Sequence, residues 1–302
     1  MFSNKVQSEI QHILCPTDLT PRSQKALGFA ARMAETFNAQ LTACHCAPAS
    51  WFSSVNRLPE EETAKINAAM NGQIVKCQEV DSTVRRRTLV IENSFEPARD
   101  ILNAINETDV DLVVMKARPG VLSALHFGSI VERVVSGADC PVLLFPSNYL
   151  AGREPGNDEL KFRRILFDYD FSFATDRLLK TVNAMTQGYR AELHLLSVLE
   201  PPLSRRIEPA AAGSSSTVLQ AAVREKLSGA IRDNGSAPGS VRPAVEWGDR
   251  AETVLRYARD NSIDLICTTL AQPNLYVEKL YRAYLGDLLK SSNCPILVKQ
   301  SV

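Results

Sequence analysis

The chain has 302 residues, which is enough for two domains of ordinary size. Its 34 basic and 34 acidic side chains cancel, so binding to nucleic acid by bulk charge is not expected. The sequence shows neither a bilayer-spanning apolar run nor a secretory signal, so we expect a cytoplasmic protein with no membrane partner. The 7 cysteines, an odd number, fit buried thiols in a reducing compartment better than a disulfide framework.

The first half alternates short apolar runs, typical of buried strands, with helical patterns. Thr20 and Pro21 open the first helix, because threonine is a good N-cap and proline suits the first turn. Runs such as Asp111–Met115 lack polar alternation, as expected for strands covered on both faces of a parallel sheet. The predicted strands are His12–Thr17, Gln40–Ala47, Arg85–Ile91, Val110–Lys116 and Pro141–Phe145, and after the first helix further helices are predicted at about Pro59–Val80, Glu96–Glu107 and Gly128–Gly137.

The second half, Arg163–Lys299, repeats this order, with its landmarks shifted by a nearly constant 152 to 154 residues (170 − 18, 264 − 111, 294 − 140). The repeated landmarks are Ile13–Thr20 with Ile165–Ser172, Asp111–Val114 with Asp264–Cys267, and Cys140–Leu144 with Cys294–Val298. This spacing indicates a duplicated domain. The predicted fold is α/β, with two tandem doubly wound domains of the Rossmann-like or flavodoxin-like kind, each with a five-stranded parallel sheet. We predict domains at 1–148 and 161–302, joined by a linker at 149–160.

Four features of the first half, taken together, resemble the universal stress protein family. They are Asp18 at the end of the first strand, the run Asp111–Met115, the pair Gly128-Ser129, and the run Cys140–Val142. Because the second half repeats the pattern, the chain resembles a tandem, UspA-like member of that family. The resemblance implies a cytoplasmic protein of the stress response, with an adenine nucleotide such as ATP or AMP as its candidate ligand.

The nucleotide-binding members of that family carry the motif G-x2-G-x9-G-S/T. Its glycines let backbone N–H groups approach phosphate, and the helix N-terminus adds a favourable dipole. In the first half Gly128 and Ser129 are intact, whereas Met115 and Arg118 stand at the two earlier glycine places. Lys116 and Arg118 could compensate with positive charge. Alternatively, Gly128 and Ser129 only cap a helix.

The resemblance also places Asp18 beside the adenosine and the backbone of Cys46 near the adenine ring. An Asx turn after the strand is the alternative for Asp18. The candidate cofactor-binding residues, all in the first half, are Asp18, Cys46, Met115, Lys116, Arg118, Gly128, Ser129 and Ile130.

In the second half Thr269, Gln272 and Arg282 occupy the three glycine places. Their side chains should crowd out phosphate, so we predict an empty or repurposed site, although Arg282 could hold an anion by its side chain. Asp168 and Asp170 share a strand face and could form a metal or acid–base pair. Because no further ligand stands at a suitable spacing, a solvated strand end is the favoured interpretation.

Two further clusters have simpler interpretations. The run Cys44–Cys46 contains a histidine between two thiols, but on a strand the thiols face one way and the imidazole the other, so we predict buried strand residues. The run Arg85–Arg87 is expected to be a solvated strand edge, with a small anion patch as the alternative.

The sequence favours binding over chemistry, because it contains no G-x-S-x-G or H-E-x-x-H motif and only 4 histidines. The alternatives are a weak adenine-nucleotide hydrolase at the same site and a ligand-free interaction module with unknown protein partners. The apolar strands Val142–Phe145 and Ile296–Val298 need cover as sheet edges. We therefore expect the two halves to form an intramolecular pseudo-dimer, with a homodimer as a further option.

Overall fold

The computed structural model describes residues 9–48, 59–76, 84–117, 130–151, 161–200, 213–233, 241–270 and 275–300. The chain divides into two compact units, with the boundary between Leu160 and Lys161. Both units have the α/β architecture predicted from the sequence. None of the helices within the described ranges combines the length and apolar character that a membrane span requires.

In the first unit, strands and helices alternate along the chain. The strands are β1 (His12–Pro16), β2 (Gln40–Pro48), β3 (Arg86–Ser94), β4 (Leu112–Lys116) and β5 (Val142–Phe145). The helices are α1 (Pro21–Phe37), α2 (Glu60–Lys76), α3 (Pro97–Glu107), α4 (Ile130–Gly137) and α5 (Ser147–Ala151). The strands pair in parallel in the order β3-β2-β1-β4-β5. The order therefore reverses between β1 and β4, and ligands of open parallel sheets bind outside the carboxyl ends of the strands at such a switch point.

The first helix begins as predicted. Thr20 is its N-cap and accepts a hydrogen bond from the backbone N–H of Ser23, while Pro21 occupies the first turn. Its buried face carries Phe29, whose ring stacks on Phe145 of β5 with the ring centroids 4.8 Å apart. These contacts hold the start of α1 in place after β1 and pack the helix against the sheet.

The segment predicted as the start of the linker forms the short helix α5. Leu150 is buried, and its carbonyl oxygen accepts a hydrogen bond from Lys25 Nζ at 3.0 Å. The hydroxyl of Ser147 donates to the carbonyl oxygen of Ala117 at 2.8 Å. These contacts tie residues 147–151, which include the first three residues of the predicted linker, to the first unit.

The second unit repeats this pattern. Its strands are β6 (Arg164–Asp168), β7 (Glu192–Leu199), β8 (Val241–Trp247), β9 (Leu265–Leu270) and β10 (Ile296–Gln300), and its helices are α6 (Phe173–Tyr189), α7 (Gly213–Asp233), α8 (Arg250–Asp260) and α9 (Leu275–Ser291). The strand order is β8-β7-β6-β9-β10, with β6 parallel to both β7 and β9. Ser172 caps α6 as Thr20 caps α1. The switch point of this unit therefore lies between β6 and β9.

The repeated aspartates Asp111 and Asp264 have the same structural task. Asp111 Oδ2 accepts hydrogen bonds from the backbone N–H groups of Gln11 (2.8 Å) and His12 (2.9 Å). Asp264 Oδ2 accepts the same two bonds from the residues that open β6 (2.8 and 3.0 Å). Each carboxylate ties the start of the first strand of its unit to the neighbouring strand, which explains why this landmark recurs in the sequence.

We expect Asp111→Ala to lower the free energy of unfolding by about 1.5–3 kcal/mol, because two backbone donors lose a charged acceptor. Asp264→Ala should have a similar effect, since its bonds are the same. Urea denaturation measures both losses. The control is Glu107→Ala, an exposed carboxylate of the same unit, which should change stability by less than about 0.5 kcal/mol. A loss for Asp111→Ala no larger than for this control would show that the two bonds contribute nothing.

Candidate functional site

Asp18 and Lys116 meet at the switch point of the first unit. Asp18 follows β1 and Lys116 ends β4, and the two are 98 residues apart in the sequence. Lys116 Nζ donates to Asp18 Oδ2 at 2.5 Å. Both side chains remain partly accessible, with exposed fractions of 35% for Asp18 and 16% for Lys116. The site therefore presents a carboxylate and an ammonium group side by side.

Thr20 completes a closed set of hydrogen bonds around the carboxylate. Its hydroxyl and its backbone N–H both donate to Asp18 Oδ1, at 2.6 and 3.2 Å. Lys116 Nζ also donates to Thr20 Oγ1, at 2.9 Å. The bond from the N–H two residues further on is an Asx turn, so Asp18 makes this turn and the ion pair at once.

The turn after β1 is held in place by side chains from neighbouring elements. Leu19 has a φ of 61°, in the left-handed region that non-glycine residues rarely adopt. Gln73 Nε2 of α2 donates to the carbonyl oxygen of Leu19 at 3.0 Å, and His45 Nδ1 of β2 donates to that of Thr17 at 2.8 Å. Because a strained residue persists only when its surroundings determine it, these bonds help fix the direction of Asp18.

The environment keeps Asp18 ionised. Partial burial raises its pKa, but hydrogen bonds from Lys116, Ser23 and Thr20 outweigh that effect and bring the pKa well below its usual value. An ionised carboxylate only accepts hydrogen bonds. Any ligand group that binds Asp18 must therefore be a donor, such as a sugar hydroxyl.

The other described members of the predicted set differ in how far they are exposed. Met115 is buried, with 6% exposed, and Ile130, the first residue of α4, is 42% exposed. Cys46 lies near the end of β2 and is partly buried, with its Sγ 3.8 Å from the carbonyl oxygen of Pro97. The remaining members, Arg118, Gly128 and Ser129, lie outside the described residues. The phosphate-binding part of the site therefore stays a prediction.

The Cys44–Cys46 run has the alternating directions expected of a strand. Cys44 is buried, and its hydrogen bond with Cys46, together with burial, raises its pKa. His45 turns the other way, toward Thr17. Within the part of the chain that the structure describes, no three His, Cys, Asp or Glu side chains are grouped as metal ligands. The run Arg85–Arg87 lies at the start of β3, the edge strand, with its first and third members exposed.

A buried ion pair occupies the switch point of the second unit. Asp168, the last residue of β6, is 1% exposed, and its Oδ2 accepts a hydrogen bond from Arg250 Nε at 2.7 Å. The hydroxyls of Tyr284 (2.7 Å) and Thr268 (3.1 Å) donate to the same oxygen. The Arg250 guanidinium lies over the Tyr284 ring, 5.0 Å from its centroid. The prediction of a solvated strand end is therefore wrong for Asp168, because its carboxylate is buried against a cation.

Asp170 borders this cluster. Its Oδ1 accepts hydrogen bonds from the backbone N–H of Ser172 (3.0 Å) and the hydroxyl of Thr175 (3.2 Å), which makes the same Asx turn as at Asp18. Its Oδ2 lies 3.6 Å from the Arg250 guanidinium. The aspartate is therefore retained in both units, but its cationic partner comes from β4 in the first and from α8 in the second.

The pKa shifts in the cluster follow from its geometry. Burial lowers the pKa of Arg250, but the charge of Asp168 outweighs it, so the net shift is upward. Burial and the charge of Asp168 raise the pKa of Tyr284 well above its usual value. Both groups remain protonated, so Asp168 keeps its donors across the physiological pH range.

This cluster could not be predicted from neighbouring residues in the sequence, because Arg250 and Tyr284 lie 82 and 116 residues after Asp168. The one available signal was a comparison of the two halves. By landmark spacing, the first half has Pro16, Pro97, Met115 and Ile130 where the second has Asp168, Arg250, Thr268 and Tyr284. Uncharged residues in one repeat and a full set of polar partners in the other indicate a site that has changed its use.

Two of the three motif places of the second unit, Thr269 and Arg282, lie within the described residues. Thr269 is buried in β9, with 1% exposed. Arg282 lies inside α9, which begins at Leu275, so it does not stand at a helix N-terminus. Gln272 lies outside the described residues. The backbone at Arg282 therefore cannot offer the free N–H groups that a glycine at the start of a helix would.

Comparison with known proteins agrees with the duplication. The model of the universal stress protein family matches residues 9–146 and again 161–299. The fold is similar to that of a universal stress protein from Archaeoglobus fulgidus (16% identity, TM-score 0.67, covering 97% of this chain and 98% of that one). It is also similar to a functionally unknown protein from Pseudomonas aeruginosa (14% identity, TM-score 0.63, covering 99% and 95%). No curated protein matches the chain. Since the family model matches nearly the whole chain in two copies, the chain belongs to the universal stress protein family and carries two of its domains in tandem.

Proposed function

We propose that the first unit binds an adenine nucleotide, such as ATP or AMP, at the switch point between β1 and β4, and that the second unit does not. The observation that carries this proposal is the contrast between the two switch points. The first presents the partly exposed pair Asp18–Lys116. In the second, the aspartate equivalent to Asp18 is Asp170, and the nearby cation, Arg250, is already paired with the buried Asp168. A carboxylate can accept hydrogen bonds from sugar hydroxyls and an ammonium group can bind phosphate, so the first pair matches the sugar and the phosphate of a nucleotide.

The remaining members of the predicted set have roles consistent with this ligand. Arg118, Gly128 and Ser129 would complete the phosphate side, as the family motif implies. The backbone of Cys46 would approach the base. Met115 is buried in β4 directly before Lys116, and Ile130 is the first residue of α4.

At the level of the whole chain, we propose a cytoplasmic protein of the stress response that acts by binding. The proposed domains span 1–148 and 161–302, with a linker at 149–160 whose first three residues are the end of α5. We also propose that the two domains of the chain form an intramolecular pseudo-dimer.

Calorimetric titration of the full chain with ATP tests the proposal. We expect one site per chain, with a dissociation constant in the micromolar range or weaker, because side chains replace two glycines of the motif; a micromolar constant corresponds to about 8 kcal/mol. Asp18→Ala should weaken binding by about tenfold or more, since the ligand loses a charged acceptor.

The matched control is Asp170→Ala, which removes the equivalent aspartate of the second unit and should leave ATP binding unchanged. Two equivalent sites would contradict the assignment to the first unit. Absence of any binding would favour the ligand-free interaction module instead. Phosphate release above the blank, lost in Asp18→Ala, would favour the hydrolase.

A further inference from the structure

The carboxylate of Asp18 already accepts hydrogen bonds from donors within the protein, Ser23 among them. Thr20 supplies two donors to Oδ1, and Lys116 supplies one to Oδ2. Lys116 in turn uses two of its three N–H donors on Asp18 and Thr20. The two charged groups that the proposed function assigns to the ligand are therefore engaged with each other.

A ligand that uses this site has to exchange that internal ion pair for its own contacts. A neutral sugar hydroxyl that approaches Asp18 competes with an ammonium group, whose positive charge adds a Coulombic attraction that the hydroxyl lacks. When Lys116 leaves Asp18 it loses an ion pair, and a phosphate group of the ligand can replace that pair because the phosphate is an anion. A nucleotide carries both a sugar hydroxyl for Asp18 and a phosphate for Lys116, so each member of the pair regains a partner. A nucleoside has no phosphate, so it leaves the Lys116 ammonium group without an anionic partner.

We propose that the Lys116–Asp18 pair makes the first site selective for phosphorylated nucleosides over free nucleosides. This inference rests on the proposed function, since it concerns the same site. Lys116 is then a specificity-determining residue: it contributes to phosphate binding and also acts as an internal competitor that excludes ligands lacking phosphate. Strand pairing matches Leu112 of β4 with Leu265 of β9, which is one residue away from the register that motif counting gives. In this structural register Thr269 takes the place of Lys116, so this selectivity belongs to the first unit alone.

The discriminating variant is Lys116→Met, which removes the ammonium group and keeps an apolar stem of similar length. Calorimetry compares adenosine, AMP and ATP on the wild type and the variant. The wild type should bind AMP and ATP more tightly than adenosine. In Lys116→Met the affinity for ATP should fall by about tenfold, the size of one lost charge-assisted bond, while the affinity for adenosine rises because Asp18 is released.

Lys180→Met is the matched control, because it removes an exposed lysine on α6 of the second unit and should leave all three affinities unchanged. Lys116→Gln serves as a second variant, and thermal melting establishes that each variant is folded. Equal weakening of adenosine and ATP in Lys116→Met, or no change in their ratio, would overturn the selectivity and leave the nucleotide site standing. Failure of all three ligands to bind the wild type would overturn both proposals.

Discussion

Asp168→Ala is expected to lower the free energy of unfolding by about 3–5 kcal/mol, the range for breaking one partner of a buried ion pair. The loss is large because Arg250 would keep its charge in a site from which water is largely excluded. Two hydroxyl donors, of Thr268 and Tyr284, would lose their acceptor at the same time. Urea denaturation of the full chain measures the loss, and hydrogen exchange in β6 and α8 locates it in the second unit.

Two variants control this measurement. Asp170→Ala removes a more exposed carboxylate that lies 3.6 Å from the same guanidinium, and it should cost less than about 1 kcal/mol. Asp168→Ala combined with Arg250→Met removes both charges, and the double variant should be more stable than Asp168→Ala alone. A single variant that unfolds at the wild-type urea concentration would show that the pair has no structural role.

Gly248→Ala is expected to cost about 2–4 kcal/mol, from backbone strain and overpacking together. Gly248 lies between β8 and α8 with a φ of 152°, a conformation that residues with a side chain rarely adopt. A methyl group added there would collide with Thr253 Oγ1, and Thr253 is itself buried. Because Arg250 opens α8 two residues later, the same shift would disturb the Asp168 cluster.

The matched control is Gly72→Ala in α2, where an added methyl group meets nothing within 4 Å. This variant should instead stabilise the protein by about 0.5–1 kcal/mol, because glycine is a poor residue in the interior of a helix. Thermal and urea denaturation would measure both. Gly248→Ala with a stability equal to that of the wild type would show that the loop before α8 adjusts freely.

The fold was predictable because its signals are local. Apolar runs without alternation marked the strands, and Thr20 with Pro21 marked the start of α1. The aspartate landmarks could be found by comparing the two halves, but their role could not, because the N–H groups that bind Asp111 lie about 100 residues earlier. Sequence periodicity does not predict contacts between strands that are distant in the sequence and adjacent only in the folded sheet.

The site was predictable only in part for the same reason. The resemblance to the family indicated Asp18, and the loss of motif glycines drew attention to Lys116 as a compensating charge, but nothing in the sequence paired the two across 98 residues. Asp168 was misjudged because a carboxylate at a strand end is usually solvated, and its buried cation comes from the start of a distant helix. Long-range charge pairing depends on which side chains the topology brings together, and this is decided after the strand order is set.

The left-handed residues of the two units record the duplication in the backbone itself. Three positions take positive φ in both units: Leu19 and Phe171 (61° and 61°), Asn38 and Arg190 (52° and 53°), and Asp109 and Ser262 (48° and 50°). Each pair differs in residue type, and neither member is glycine. The backbone φ angle at each of these positions is therefore the same in both units, although the residue type has changed. The duplication is therefore visible in the main-chain conformation. A comparison of residue types alone would not detect these three equivalent positions, because the residues in each pair differ.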